Sequence, residues 1–451
     1  MAKTVVRERL VARSTAARYS LFVGLGGALA VAGLAMFLVT LRGDSADRAW
    51  HLFHANWLFF NGLAVGSIAF TAVQKITKAN WSGLVIRFAE AASAFLPIAF
   101  LGFLVIFLVG YDHIYPEMTG LGLSPGKQLW LSHNWMFWRL FIGLGALYTI
   151  GFALVRADLV PDLHEVKGNV TGFRRRLYDS WTSGFDGSAA GLERQNQIIY
   201  TLAPIYIVTY AFVATAVAFD GIMALQPHWY SNLLGGFYFM ASFLGAHALL
   251  ALTMIFGGRE VGIADLISPK QRHDLGKLTF GFTVFWAYLM WAQFLVIWYG
   301  NLPEETGFVF SRLWGPWMPI GRAVFLGMFI IPFFGLLGVA PKKNPFTLGL
   351  FCTISLVALW LERYLLVLPS VTRESGPVYG VPELGPTLLF LGLFLLAYGL
   401  FARTFPMVSP RLAEFTIDKE RHHGRDEEFF HDEAAENFVS PAAAERRHGA
   451  R

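Results

Sequence analysis

The chain has 451 residues, of which 55% are hydrophobic and only 15% charged, with 36 Lys/Arg against 31 Asp/Glu. Soluble domains average about 25% charged residues, and the mean hydropathy here is +0.49, so an integral membrane protein is indicated and a nucleic-acid partner is not expected. The single cysteine, Cys352, sits in an apolar run, with no Cys-x-x-Cys-His, iron–sulfur ligand set or disulfide framework around it, so electrons would need a cofactor held elsewhere.

Residues 1–18 are basic and run into an apolar segment without an obvious cleavage site, which predicts a retained cytoplasmic N-terminus and no removed signal peptide. A spanning helix needs about 20 mostly apolar residues. Ten segments qualify: 19–41, 50–76, 83–110, 133–156, 197–220, 230–257, 275–300, 319–340, 345–368 and 385–404. They are too long and too evenly apolar for barrel strands, so an all-α integral membrane protein is expected. Residues 157–196 are expected to form a long cytoplasmic connection. Its "FRRRLYDSW" either lies on the membrane surface with Arg toward headgroups or is a plain solvated loop. The charged tail, 409–451, is expected to be disordered or docked on a partner.

Lys and Arg set the orientation. The N-terminus and alternate loops 75–87, 156–194, 257–277 and 341–345 hold twenty, and the opposite loops hold five. Basic loops stay inside, which puts both termini in the cytoplasm. The chain also echoes itself at an offset of four helices. "FLVIFLVGYDHIYPE" (103–117) ends the third helix and "FLVIWYGNLPEE" (294–305) the seventh; Trp-led, aromatic-rich stretches open the second and sixth; Arg139 and Arg322 lie early in the fourth and eighth. This predicts two four-helix bundles, helices 2–5 (50–220) and 6–9 (230–368), flanked by helices 1 and 10, with parallel repeats about an axis along the membrane normal. Gly62, Gly66, Gly235, Gly236 and Gly245 suit close helix approach.

Ionisable groups within spans are functional candidates, because burying them in hydrocarbon is costly. The first bundle gathers Asp112, His113, His133, Arg139, Asp220, His51 and His54 at its outer end. Carboxylate and imidazole there could accept the two protons a quinol gives up; wet loop-edge residues, with Arg139 snorkelling or pairing with Asp112, are the alternative. The second bundle has Gly300-Asn301 where the first has Asp112-His113, and keeps Arg322 and Glu362-Arg363. Deeper candidates are Glu90, His247, Gln293 and Glu362, with Asn61, Ser67, Thr71 and Gln74 along helix 2. They sketch a proton path: Glu90 and His247 from the cytoplasm, Glu362 and Asp220 from outside. Interhelical hydrogen bonds or ion pairs, Arg363 with Glu362 among them, explain the same residues. Only His247 is clearly deep, so paired axial ligands for haem b are not expected.

The stretch "HLFHANWLFFNGLAVGSIAFTAVQKITKANWSGLVIRFAEAASAFLPIAF" (51–100), above all its "IRFAEAASAFLP", resembles the polysulfide-reductase or NrfD-type membrane subunits that interact with quinone. Within that family it is most similar to the F subunit of bacterial alternative complex III, and the ten-helix plan extends the likeness to about residue 405. The resemblance implies a subunit of a quinol-oxidising respiratory complex of the bacterial inner membrane, passing electrons to cytochrome c or an oxidase. It implies no redox cofactor in this chain, with quinone or menaquinone as the candidate ligand. Partners would be a sister NrfD-type quinol-binding subunit, an iron–sulfur subunit, c-type cytochrome subunits, a terminal oxidase and lipids. The quinol-binding sister would carry a His-Leu-Gly-Arg-Pro-like stretch where this chain has "YDHIYPE". That favours the F-type paralogue, with a proton-conducting or structural role. Asp112, His113, His133, Arg139 and Asp220 then become remnants of a quinone pocket or the outer mouth of the proton path. The competing readings are a quinol-binding anchor of a molybdenum or iron–sulfur oxidoreductase, and a secondary transporter, although Pro97, Pro204 and Pro332 do not match between the halves.

Overall fold

The computed structural model describes residues 2–15, 19–79, 81–118, 120–372 and 376–417, with side chains from residue 7 onward. Ten helices among them are long and apolar enough to cross a membrane: span 1, Ser20–Thr40; span 2, Ala46–Ile76; span 3, Ile86–Leu108; span 4, His133–Asn169; span 5, Ala189–Leu225; span 6, Leu234–Glu260; span 7, Pro269–Gly300; span 8, Gly315–Leu336; span 9, Pro345–Val371; span 10, Val381–Thr404. The protein is an all-α, multi-pass membrane protein.

Span 2 is the axis of the molecule. Its apolar window is 94% buried, against 22% for span 7, and it packs on spans 3, 5, 6, 9 and 10. Tyr148 of span 4, Tyr206 of span 5, Tyr238 of span 6 and Trp360 of span 9 all hydrogen-bond to it, at Asn61, Val65, Leu58 and Asn56. In hydrocarbon such polar ties help position helices that apolar packing alone would leave free to slide. Gly62 and Gly66 let span 6 approach: a Cβ would stand 2.6 Å from Ser242 Oγ at the first and 2.7 Å from the Ser242 carbonyl at the second. Gly236, by contrast, faces open space.

Spans 1 and 10 flank the bundles, and they also form the most extensive helix pair in the molecule. Gly26 and Gly33 on one face Gly385, Gly392 and Gly399 on the other. Seven residues is nearly two full turns, so each set forms one stripe. A Cβ on Gly33 would stand 2.2 Å from Leu389 N, which only a backbone-to-backbone seam produces.

Two spans depart from regular α-helix in their interior, each ahead of a proline. Span 3 has a 3₁₀ segment, Ala91–Phe95, before Pro97, and span 8 a π segment, Leu326–Ile330, before Pro332. Proline lacks an N–H and crowds the carbonyl four residues earlier, and the local helix type adjusts around it. The second copy of the repeated phrase also has a local cause: Asn301 caps span 7 in the left-handed conformation (φ 47°), which Asn tolerates better than most residues.

The 157–196 connection is not a loop. Span 4 continues as α-helix to Val166, because Leu154, Leu159, Leu163 and Val166 keep the helical period and are buried, and Pro161 is absorbed inside it. "FRRRLYDSW" is part of a helix, Gly172–Trp181, whose Tyr178 hydroxyl donates to the Thr404 carbonyl at 2.7 Å. Span 5 begins at Ala189, with Ser188 capping its first turn. The N-terminal helix, Ala2–Ser14, docks beside these elements: Arg7 pairs with Glu165 at 2.8 Å and with Glu414 at 3.1 Å. The two carboxylates raise the Arg7 guanidinium pKa above its ordinary value, Glu165 most of all. Both described ends of the chain therefore lie on one face, the terminal face. Of the tail, residues 409–417 pack on the chain's own bundle, with Ser409, Ala413 and Thr416 buried. The expectation of a disordered or partner-docked tail, made for 409–451, is therefore corrected for 409–417, and residues 418–451 lie outside the described residues.

Candidate functional site: buried charge at the two faces

At the terminal face, six charged side chains from four segments meet beneath the surface. Arg87 and Glu90 share one face of span 3 through i,i+3 spacing, and Asp158 and Asp162 one face of span 4 through i,i+4 spacing. All four are wholly buried. Arg87 is the hub. Its Nη1 contacts Glu90 and, at 3.2 Å, Asp158 Oδ2; its Nη2 contacts Asp162 and donates to the Asp158 carbonyl at 2.8 Å. Asp158 Oδ1 also holds Lys75 at 2.6 Å and faces Arg411 at 3.6 Å, and Ser409 Oγ donates to Asp162 at 2.9 Å. Three cations balance three carboxylates, which is the condition under which charges survive such burial. A cavity of about 410 Å³ reaches Asp158, lined also by Gln74, Lys75, Asn196 and Arg411.

Of these residues, only Glu90 and Gln74 stand out in the sequence. Asp158 and Asp162 were hidden in the segment taken for a loop. The signal was present in the apolar period of "LVRADLVPDLHEV", which continues through both aspartates. His247, the other candidate on this side, lies apart from the cluster's ion pairs. Its Nδ1 donates to the Phe243 carbonyl at 2.7 Å, and its ring packs against Phe70, Phe243 and Phe282. Ser67 and Thr71 bond to carbonyls of their own helix, and Asn61 accepts from the Tyr148 hydroxyl at 2.6 Å.

At the opposite face, the first bundle's candidates divide. Asp112 and His113 are exposed, with His113 Nδ1 2.6 Å from Asp47 Oδ1 and its ring stacked on Trp50. His51 is buried, and His54, His133, Arg139 and Asp220 form one chain of contacts across spans 2–5. Arg139 clasps Asp220 with two bonds, at 2.9 and 2.6 Å, and lies over the Trp130 ring; Asp112 is not its partner. Asp220 is buried beside Gly221, whose carbonyl meets His54 Nε2 at 2.6 Å. His54 touches Tyr115, Tyr115 stacks on Tyr111, and Tyr111 stacks on His133 with centroids 4.1 Å apart. His133 Nε2 in turn donates to the Phe107 carbonyl. Burial, aided by the Asp112 and Asp220 charges, pushes the Tyr111 phenol up to about 12, so it stays protonated. The Tyr115 hydroxyl and His54 Nδ1 are buried and have no hydrogen-bond partner among the described residues. Sequence reading passed over both tyrosines, because aromatics at a helix end look like ordinary interface residues.

In the second bundle, Glu362 and its neighbour Arg363 are both buried and pair at 2.9 Å. Trp286 Nε1 donates to the other Glu362 oxygen at 2.9 Å, and Arg363 donates to the Tyr238 carbonyl and Ser242 Oγ. Glu362 and Gln293 line a second cavity, of about 380 Å³. Among the described residues, no group of three or more His, Cys, Asp or Glu side chains is arranged to hold a metal ion. No protein-family model matches the chain, and no curated protein sequence does either.

Proposed function

We propose that this chain is a membrane subunit of a respiratory quinol-oxidising complex resembling alternative complex III, and that its own task is to conduct protons. In this reading it lies in the bacterial inner membrane with both termini cytoplasmic, holds no redox cofactor, and leaves electron transfer to cytochrome c or an oxidase to its partners. Those are a sister quinol-binding NrfD-type subunit, an iron–sulfur subunit and c-type cytochromes. The likeness of residues 51–100 to that family motivates the assignment.

The observation that carries the proton role is the wholly buried Arg87–Glu90–Asp158–Asp162 cluster with a cavity at Asp158. Glu90 and Asp158 both face one guanidinium nitrogen of Arg87, so a proton reaching Asp158 from the cavity has a second carboxylate alongside. Beyond them, His247 would serve as an intermediate station, and Asp220 and Glu362, each held by an arginine, as groups on the exit side. Structural clusters of this kind exist without proton traffic, so the test must read pumping and not stability. The purified complex is reconstituted in liposomes with Glu90→Gln, Asp158→Asn or His247→Asn, and quinol oxidation and proton release are followed together. Loss of pumping with quinol oxidation retained is the expected result for the first two. An assembled complex that pumps normally with both Glu90→Gln and Asp158→Asn would reduce this subunit to a structural role.

A further inference from the structure

The cavity in the second bundle lies between spans 6, 7, 8 and 9 and the short helix Pro303–Leu313. Its wall is aromatic, with Phe237, Trp286, Phe294 and Phe308, and its rim residues Trp291, Leu313 and Phe325 are exposed. It therefore opens sideways, toward the hydrocarbon. Two guanidiniums, Arg312 and Arg322, line it with a single carboxylate, Glu362. Glu362 is already paired with Arg363. Arg312 is buried and donates to the Phe308 and Leu366 carbonyls and to Ser370. Arg322 is different: it is exposed, and no hydrogen bond or ion pair joins it to another described residue. It lies nearly two turns into span 8, within snorkelling reach of the interface.

The geometry points to a binding site for an anionic phospholipid, with an acyl chain in the cavity and the phosphate on Arg322. The charge pattern decides the occupant. An apolar cavity facing lipid gains little from hydrophobicity alone, since acyl chains are as apolar as its wall. Selectivity must come from the unpaired cation at the mouth, and a guanidinium matches a phosphate in both charge and fork geometry. In the first bundle the corresponding arginine, Arg139, already has its anion in Asp220; in the second that place is open.

The inference is independent of the respiratory assignment. The full chain, purified in mild detergent, is titrated with phosphatidylglycerol or with phosphatidylcholine of the same acyl length, and retained lipid is read by native mass spectrometry. One phosphatidylglycerol should be held roughly tenfold more tightly than phosphatidylcholine, whose choline ammonium offsets the phosphate charge that Arg322 meets. Arg322→Gln should abolish that preference. Val309→Phe, which leaves Arg322 in place but fills the cavity, should remove retention of either lipid, with thermal melting confirming that both variants are folded. Equal retention of the two lipids by the parent chain overturns the site, as does undiminished phosphatidylglycerol binding by Arg322→Gln.

Discussion

The two bundles place an arginine early in their third helix and surround it differently. In the first, Arg139 on span 4 is clasped by Asp220 on span 5 and covered by Trp130. In the second, the carboxylate on span 9, Glu362, turns to its own neighbour Arg363, and Arg322 on span 8 faces an open cavity. One arginine is thus a structural tie, and the other is free to meet something outside the chain. The terminal face repeats the asymmetry: Arg87 on span 3 gathers three carboxylates, while at the matching end of span 7 Lys277 makes, among the described residues, only a local i,i+3 pair with Asp274. Arginines at matching positions in the sequence do not share their electrostatics, because each buried charge has to find its own partner.

The comparison can be broken by mutation. The largest effect is expected for Arg87→Leu, which removes the cation of buried Glu90 and Asp162 and leaves Asp158 to Lys75 and Arg411. Breaking even one buried pair costs about 3–5 kcal/mol, so the variant should fail to yield folded protein by size-exclusion chromatography. Arg139→Gln should cost near the low end of that range, since its side chain is 18% exposed, and should lower the thermal midpoint in detergent. Adding Asp220→Asn to it should recover much of the loss, because no uncompensated charge remains. Glu362→Gln also breaks a buried pair and should cost about 3 kcal/mol, the Tyr238 carbonyl and Ser242 still holding Arg363. The smallest effect is expected for Arg322→Gln, within about 0.5 kcal/mol in lipid-free detergent. If Arg322→Gln proves as damaging as Arg139→Gln, the two arginines are equivalent after all.

The ten spans were legible in the sequence because hydropathy is a bulk property, insensitive to the placement of single residues. Their ends were not. Span 4 was expected to stop at 156 because Asp158, Pro161 and Asp162 look like loop signals, yet in a buried setting two aspartates four apart are a charged face awaiting a cation. Glu90 stood out as a lone intramembrane acid; that Arg87, one turn away, was its partner could be read, but the contributions of Lys75 and Arg411 depend on tertiary packing. Glu362 with Arg363 was legible as a neighbouring pair. The contact of Arg139 with Asp220 across 81 residues was not, and adjacency in sequence favoured Asp112. The glycines of span 2 were noticed, while the sevenfold stripes on spans 1 and 10 were visible in the sequence but went unread, since each stripe has meaning only beside the other.

That glycine seam bears on how the protein is made. Span 1 leaves the ribosome before spans 2–9 and span 10 after them, so the groove cut by Gly26 and Gly33 stays unfilled while those eight spans are made. Pairing by such close backbone contact tolerates no substitute of larger side chain. A chain truncated before span 10 would carry an open, small-residue groove on span 1, and the seam can close only after spans 2–9 have been made.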